Sequence, residues 1–157
     1  MSENGRGVPP RMGLGFAVVG FVALAVCGLG LTSLASGAEV IATPGLGQIP
    51  GVAGMVLATA MFGLTMWAAL RRARPVYRAT ATVTVATVLA HLAGVWLGAV
   101  FSGSDAALAT AAVGGFVTSW FVVVLAAAAF VSSWAGIALV RTRAQRPRWP
   151  WERDEDL

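Results

Sequence analysis

Four long uncharged stretches constrain this chain more than any other feature of its sequence. They cover residues 12–35, 51–70, 79–101 and 106–140. Each holds the roughly 20 residues that a helix needs to cross a hydrocarbon core, and backbone groups inside lipid must pair within the protein, which favours helices. Only 11% of the 157 residues are charged, whereas a soluble domain carries about a quarter. The sequence therefore predicts an all-α integral membrane protein with four transmembrane helices in a four-helix bundle.

The distribution of arginine predicts the orientation of these spans. The chain has no lysine, and all eleven basic residues are arginines that flank one side of the predicted spans. They are Arg6, Arg11, Arg71, Arg72, Arg74, Arg78, Arg141, Arg143, Arg146, Arg148 and Arg153. The loops at 36–50 and 102–105 contain none. Because arginine-rich loops stay in the cytoplasm, both chain ends are expected there (N-in/C-in).

A composition that is rich in alanine and uses arginine in place of lysine is common in high-GC bacteria. We therefore expect a multi-pass protein of a bacterial cytoplasmic (inner) membrane. The single Cys27 excludes an internal disulfide. Residues 24–27 resemble a lipoprotein cleavage box, but Val26 is poorly suited to it and the apolar run continues to Ala35. An uncleaved first span is the better interpretation.

The predicted organisation has three parts. Residues 1–11 form a cytoplasmic leader, residues 12–140 form the transmembrane domain, and residues 141–157 form a cytoplasmic tail. The spans are expected at 12–35, 51–70, 79–101 and 112–140. The fourth apolar run is longer than a membrane requires, because 35 residues make a helix of about 52 Å. We expect a short outer extension, with a bend at Gly114–Gly115.

The tail changes character along its length. Its first part is basic, which suits anionic lipid headgroups. Trp149 and Trp151 then supply rings of the kind that anchor at the membrane interface. The chain ends acidic from Glu152 onward. The tail is interpreted as an interface anchor with a solvated end, or alternatively as a docking peptide for a protein partner.

The third span carries the most informative polar pattern. Its threonines, its histidine and two of its glycines recur at intervals of three and four, which places them on one helix face. They are Thr80, Thr84, Thr87, His91, Gly94 and Gly98. Helices in lipid associate through small residues and interhelical hydrogen bonds. Thr84, Thr87, His91, Gly94 and Gly98 are therefore predicted to form a helix-packing surface or, alternatively, to line a pathway. A weaker stripe of small residues lies in the first span at Gly20, Ala23, Cys27 and Gly30.

His91 falls near the centre of its span. A neutral histidine there can donate a hydrogen bond to a threonine or a carbonyl on a neighbouring helix, which would be a structural role. In that role asparagine should preserve folding, whereas leucine should cost about 0.6 kcal/mol. A ligand-gated or proton-linked role is the alternative. Haem or metal ligation is a further alternative, in which haem held by two histidines would need a second one that a homodimer could supply by symmetry.

The patterns of residues that mark catalytic sites are missing from the spans. No Asp or Glu lies inside them, and we find no catalytic constellation, phosphate loop or metal-ligand cluster. We therefore expect a non-enzymatic protein without catalytic residues, cofactor or metal, acting as an accessory, scaffold or assembly subunit of a bacterial membrane complex. The alternative is a subunit of an oligomeric channel or transporter. The expected partners are the lipid bilayer and a membrane protein or a second copy of the chain, and no nucleic acid.

Overall fold

The computed structural model describes residues 9–41, 46–72 and 76–141, and all regular structure in these ranges is helical. The helices are α1 (Pro10–Ser36), α2 (Ile49–Leu70), α3 (Arg78–Phe101), α4 (Ala106–Val117) and α5 (Trp120–Arg141). All but α4 are long and apolar enough to cross a membrane. The prediction of an all-helical chain with four potential spans is confirmed. Trp149 and Trp151, predicted as interface anchors, lie outside the described residues.

Successive long helices pack antiparallel. Near the centre of α1, Phe21 stacks on Phe62 of α2 with ring centroids 4.6 Å apart, and near its start a β-carbon at Gly13 would lie 3.9 Å from Leu70 Cδ1. Between α2 and α3, Gly54 lies beside His91, and Pro50 lies beside Gly98. The order of these pairs reverses from one helix to the next, so α1 and α3 run in one direction and α2 runs in the other.

The α5 helix closes the arrangement against α1 and α3. A β-carbon at Gly28 would lie 2.6 Å from Val124, and one at Gly13 would lie 2.6 Å from Val140, so α5 is antiparallel to α1. The Arg141 guanidinium lies 4.6 Å from the centroid of the Tyr77 ring, next to the start of α3. The starts of α1 and α3 and the end of α5 therefore share one end of the molecule.

The interior is built from a few large side chains set among small ones. Phe62, Met66, Leu125 and Ile137 are fully buried, and alanines and glycines fill the space between the helices. The outer surface is the reverse of that of a soluble protein, because large apolar side chains such as Phe101 are exposed. Contiguous apolar surface of this kind fits a lipid environment.

The fourth apolar run differs from the expectation of a bend at Gly114–Gly115. Both glycines lie inside α4, and the helix ends after Val117. The Thr118 hydroxyl donates to the carbonyls of Gly114 and Gly115 at 3.1 and 3.2 Å, and the Ser119 hydroxyl donates to that of Phe116 at 2.6 Å. Hydroxyl groups that compete for the carbonyls of the last turn bend or end helices. The break therefore lies at 118–119.

The weak small-residue stripe of the first span, of a kind that arises easily by chance in a chain with 19 glycines, is not its packing face. Ala23, Cys27 and Gly30 are exposed, and the buried residues of α1 are Gly13, Ala17, Phe21 and Ala25. The Phe21–Phe62 stack fixes the rotation of α1. A large aromatic ring gains more contact from burial than small side chains do, so the ring turns the stripe outward.

Candidate functional site on the third helix

The polar stripe of α3 faces the interior of the molecule. Thr80, Thr87, His91, Gly94 and Gly98 are buried, and Thr84 is partly buried. Spacings of three and four hold all six residues on one side of the helix. Two helices cover this side: α2 covers the glycines, and α2 and α4 together enclose the histidine.

The two glycines bring α3 into backbone contact with α2. A β-carbon at Gly94 would lie 2.7 Å from the carbonyl oxygen of Ala53 and 2.7 Å from the Cα of Gly54. One at Gly98 would lie 2.9 Å from the Cα of Pro50. These distances leave no room for a side chain, so glycine is required for the helices to approach this closely. The α2 and α3 backbones are therefore in direct contact at both glycines.

The His91 side chain is enclosed between α2 and α4. It is 2% exposed, and its ring lies 4.7 Å from the Phe116 ring at an interplanar angle of 38°. On the other side, a β-carbon at Gly54 would lie 3.1 Å from His91 Cε1. Gly54 thus leaves space for the imidazole, and Phe116 covers it.

Neither ring nitrogen of His91 makes a hydrogen bond of good geometry among the described residues. The hydrogen bond expected from this histidine to a threonine or carbonyl of a neighbouring helix is reduced there to a weak interaction with the Gly54 backbone of α2. The Thr80 and Thr84 hydroxyls are also buried without a partner, whereas the Thr87 hydroxyl donates to the Val83 carbonyl at 2.7 Å. The ring is positioned by packing rather than by a directional bond.

A cleft of about 460 Å³ lies at one end of the stripe, between the end of α2 and the start of α3. Its lining reaches Val83 but includes none of Thr84, Thr87 and His91. Within the described ranges, no three or more His, Cys, Asp or Glu side chains come together to hold a metal ion. The polar groups of the stripe are therefore the buried imidazole of His91 and the hydroxyls of its three threonines.

Two residues of this site, Gly54 and Phe116, were not predicted from the sequence to contact His91. Gly54 lies three residues after Gly51, a spacing that suggests a packing face but occurs often by chance in a chain with 19 glycines. Phe116 belongs to α4, and nothing in its local pattern indicates that it covers His91. Its role depends on the break at 118–119, which sets the path of α4 along α3.

Four helices that are long and apolar enough to cross a membrane, two of them in backbone contact at glycines, indicate a helical membrane protein. The chain belongs to a family of unknown function, DUF6121, whose family model matches residues 13–157. No curated protein and no solved structure matches the chain. The matched range contains every residue of the candidate site.

Proposed function

We propose that this chain is a non-enzymatic, multi-pass protein of a bacterial cytoplasmic membrane that serves as an accessory, scaffold or assembly subunit of a membrane complex. The observation that carries the proposal is the closed α2–α3 interface. Gly94 and Gly98 lie against the backbone of α2, and His91 is enclosed by Gly54 and Phe116. A stripe used in this way serves the packing of the bundle.

The proposed orientation is a four-helix bundle with both ends in the cytoplasm. It is supported by the charges at the helix ends. Arg11, Arg71, Arg78 and Arg141 flank the start of α1, the end of α2, the start of α3 and the end of α5. The described acidic residues, Glu39 and Asp105, lie next to the opposite helix ends. Arginine on one side only is the pattern of cytoplasmic loops.

The rival function is a channel or transporter subunit with a pathway along the stripe. It is favoured by one observation: the buried polar atoms of His91, Thr80 and Thr84 make no hydrogen bond of good geometry among the described residues. Such groups are expensive inside a membrane and often mark pathways. If the chain is a channel or transporter subunit, the stripe would be exposed to water in an oligomer of the chain or in a second conformation.

Two measurements on the full-length protein separate these functions. When the wild-type protein is purified from its own membranes in mild detergent, a partner membrane protein is expected to co-purify at fixed stoichiometry. Gly94→Leu forces α2 and α3 apart, so the partner is expected to be lost from this variant. Gly30→Leu is the matched control, because nothing lies within 4 Å of that position.

The second measurement is ion or proton flux in proteoliposomes. Flux equal to that of empty liposomes is expected for the wild-type protein. A flux that His91→Asn abolishes in a protein that still folds would contradict the scaffold function and establish the pathway.

A further inference from the structure

A cleft separates the end of α2 from the start of α3 at the arginine-bearing end of the molecule. It has a volume of about 460 Å³ and is lined by both helices, by Arg72 just after α2 and by Val76 just before α3. The lining residues are Thr65, Ala68, Ala69, Arg72, Val76, Arg78, Ala79, Thr82 and Val83. The cleft therefore has two cationic groups on an otherwise small and apolar lining.

The positive charge of this cleft is not neutralised by the described part of the protein. Arg72 and Arg78 are exposed, and neither forms an ion pair within the described ranges. Arg78 opens α3, whose first turn contains no acidic residue. The N-terminal end of a helix carries a partial positive charge of its own, so an anion here would interact favourably with the helix and with both guanidinium groups.

Two other arginines at the same end lie against aromatic rings. The Arg71 guanidinium lies 5.5 Å from the centroid of the Trp67 ring, and that of Arg141 lies 4.6 Å from the Tyr77 ring. Neither residue belongs to the lining of the cleft. In such cation–π contacts the guanidinium charge is attracted to the face of the aromatic ring. Arg72 and Arg78 are thus distinguished by their position on the cleft, and Arg71 provides a matched control.

The rest of the lining is small and mostly apolar. Ala68 lies on α2, Ala79 and Val83 lie on α3, and the hydroxyl of Thr65 already donates to the Met61 carbonyl at 2.7 Å. A ligand that fits must therefore combine an anionic group beside the exposed arginines with a hydrocarbon part between the helices. Free phosphate would satisfy only the first requirement, whereas a phospholipid satisfies both.

We propose that this cleft binds an anionic phospholipid, with the lipid phosphate between Arg72 and Arg78 and the upper part of an acyl chain along Ala68, Ala79 and Val83. Guanidinium groups bind phosphate through paired, charge-assisted hydrogen bonds. The site rests on the transmembrane arrangement proposed above, which places this end at the level of the headgroups. Bound lipid would join α2 to α3 at the end opposite to the Gly98 contact.

The test is native mass spectrometry of the full-length protein in a neutral detergent, titrated with phosphatidylglycerol or with phosphatidylcholine of the same acyl chains. Phosphatidylglycerol is expected to bind more tightly. The double variant Arg72→Gln/Arg78→Gln is expected to weaken its binding about 30-fold, since each arginine near an anionic membrane contributes about a factor of five. Arg71→Gln is expected to bind like the wild type.

Three results would overturn the site: equal binding of both lipids, unchanged binding by the double variant, or the same loss in Arg71→Gln. Displacement of the lipid by equimolar inorganic phosphate would identify free phosphate as the ligand and would also overturn it. Circular dichroism checks the fold, and the single variants Arg72→Gln and Arg78→Gln replace the double one if it does not fold. Cysteine labelling reads the topology independently, so a correct topology without lipid preference rejects the lipid site alone.

Discussion

Gly94 of α3 lies against Gly54 of α2 so closely that a β-carbon on Gly94 would be 2.7 Å from the Gly54 Cα. Two helix backbones meet at this point without a side chain between them. Lipid supplies no hydrophobic drive for helices to associate, so such contacts and the dispersion forces across them hold the helices together. The same Gly54 also leaves space for His91, which links the packing of the two helices to the burial of the imidazole.

The first prediction compares Gly94→Ala with Gly30→Ala. At Gly94 the added methyl group meets backbone atoms of Ala53 and Gly54, which cannot rotate away, and overpacking of this kind costs about 1–3 kcal/mol. At Gly30 nothing lies within 4 Å, so alanine should stabilise the helix by about 0.5 kcal/mol. Thermal unfolding in detergent measures both. Equal melting temperatures for the two variants would contradict a stabilising contact between the α2 and α3 backbones at Gly94.

The second prediction concerns the contact between α1 and α5. A β-carbon at Gly28 would lie 2.6 Å from Val124 Cγ1. Valine is stiff at χ1, so this methyl group cannot easily turn away, and Gly28→Ala should destabilise the protein. Because the clash is with a side chain and not with backbone, Val124→Ala in the same chain should restore most of the loss. A double-mutant cycle should give a coupling of about 0.5–3 kcal/mol, as for residues in contact. Simple additivity of the two changes would contradict this pairing of the helices.

The third prediction concerns His91 and reverses the expectation drawn from the sequence alone. Because neither ring nitrogen makes a hydrogen bond of good geometry in the described residues, leucine loses only a weak interaction with the Gly54 backbone and removes buried polar atoms that are costly when poorly paired. His91→Leu should be as stable as the wild type or more stable by about 1 kcal/mol. His91→Asn keeps polar atoms and fills less of the space beside Phe116, so it should be less stable than His91→Leu. The order of the two melting temperatures is the measurement, and the opposite order would indicate a hydrogen bond to the imidazole.

The four long helices follow from the sequence because each depends only on its own residues. An uncharged run of spanning length must pair its backbone groups internally, whatever its neighbours are. The shared face of Thr80, Thr87 and His91 is local in the same sense, because helical spacing alone sets it. What covers that face is not local: Gly54 and Phe116 come from other helices, 37 and 25 residues away along the chain.

Two features could not be obtained from local patterns. The rotation of α1 depends on the stack between Phe21 and Phe62, and the spacing of its small residues does not indicate the face that is buried. The break at 118–119 depends on hydroxyl groups bonded to carbonyls of the preceding turn, whereas the adjacent glycines drew attention to the wrong position. In both cases a specific side-chain contact outweighed the residue type that usually marks the feature.

The central claim is that the chain crosses the membrane four times with both ends in the cytoplasm, and cysteine labelling of intact cells tests it most directly. The native Cys27 is replaced by alanine, and single cysteines are placed at Ala38, between α1 and α2, and at Arg71, at the end of α2. A membrane-impermeant maleimide is expected to label Ala38→Cys in intact cells and Arg71→Cys only after permeabilisation. Labelling of Arg71→Cys in intact cells, or protection of Ala38→Cys, would contradict the account.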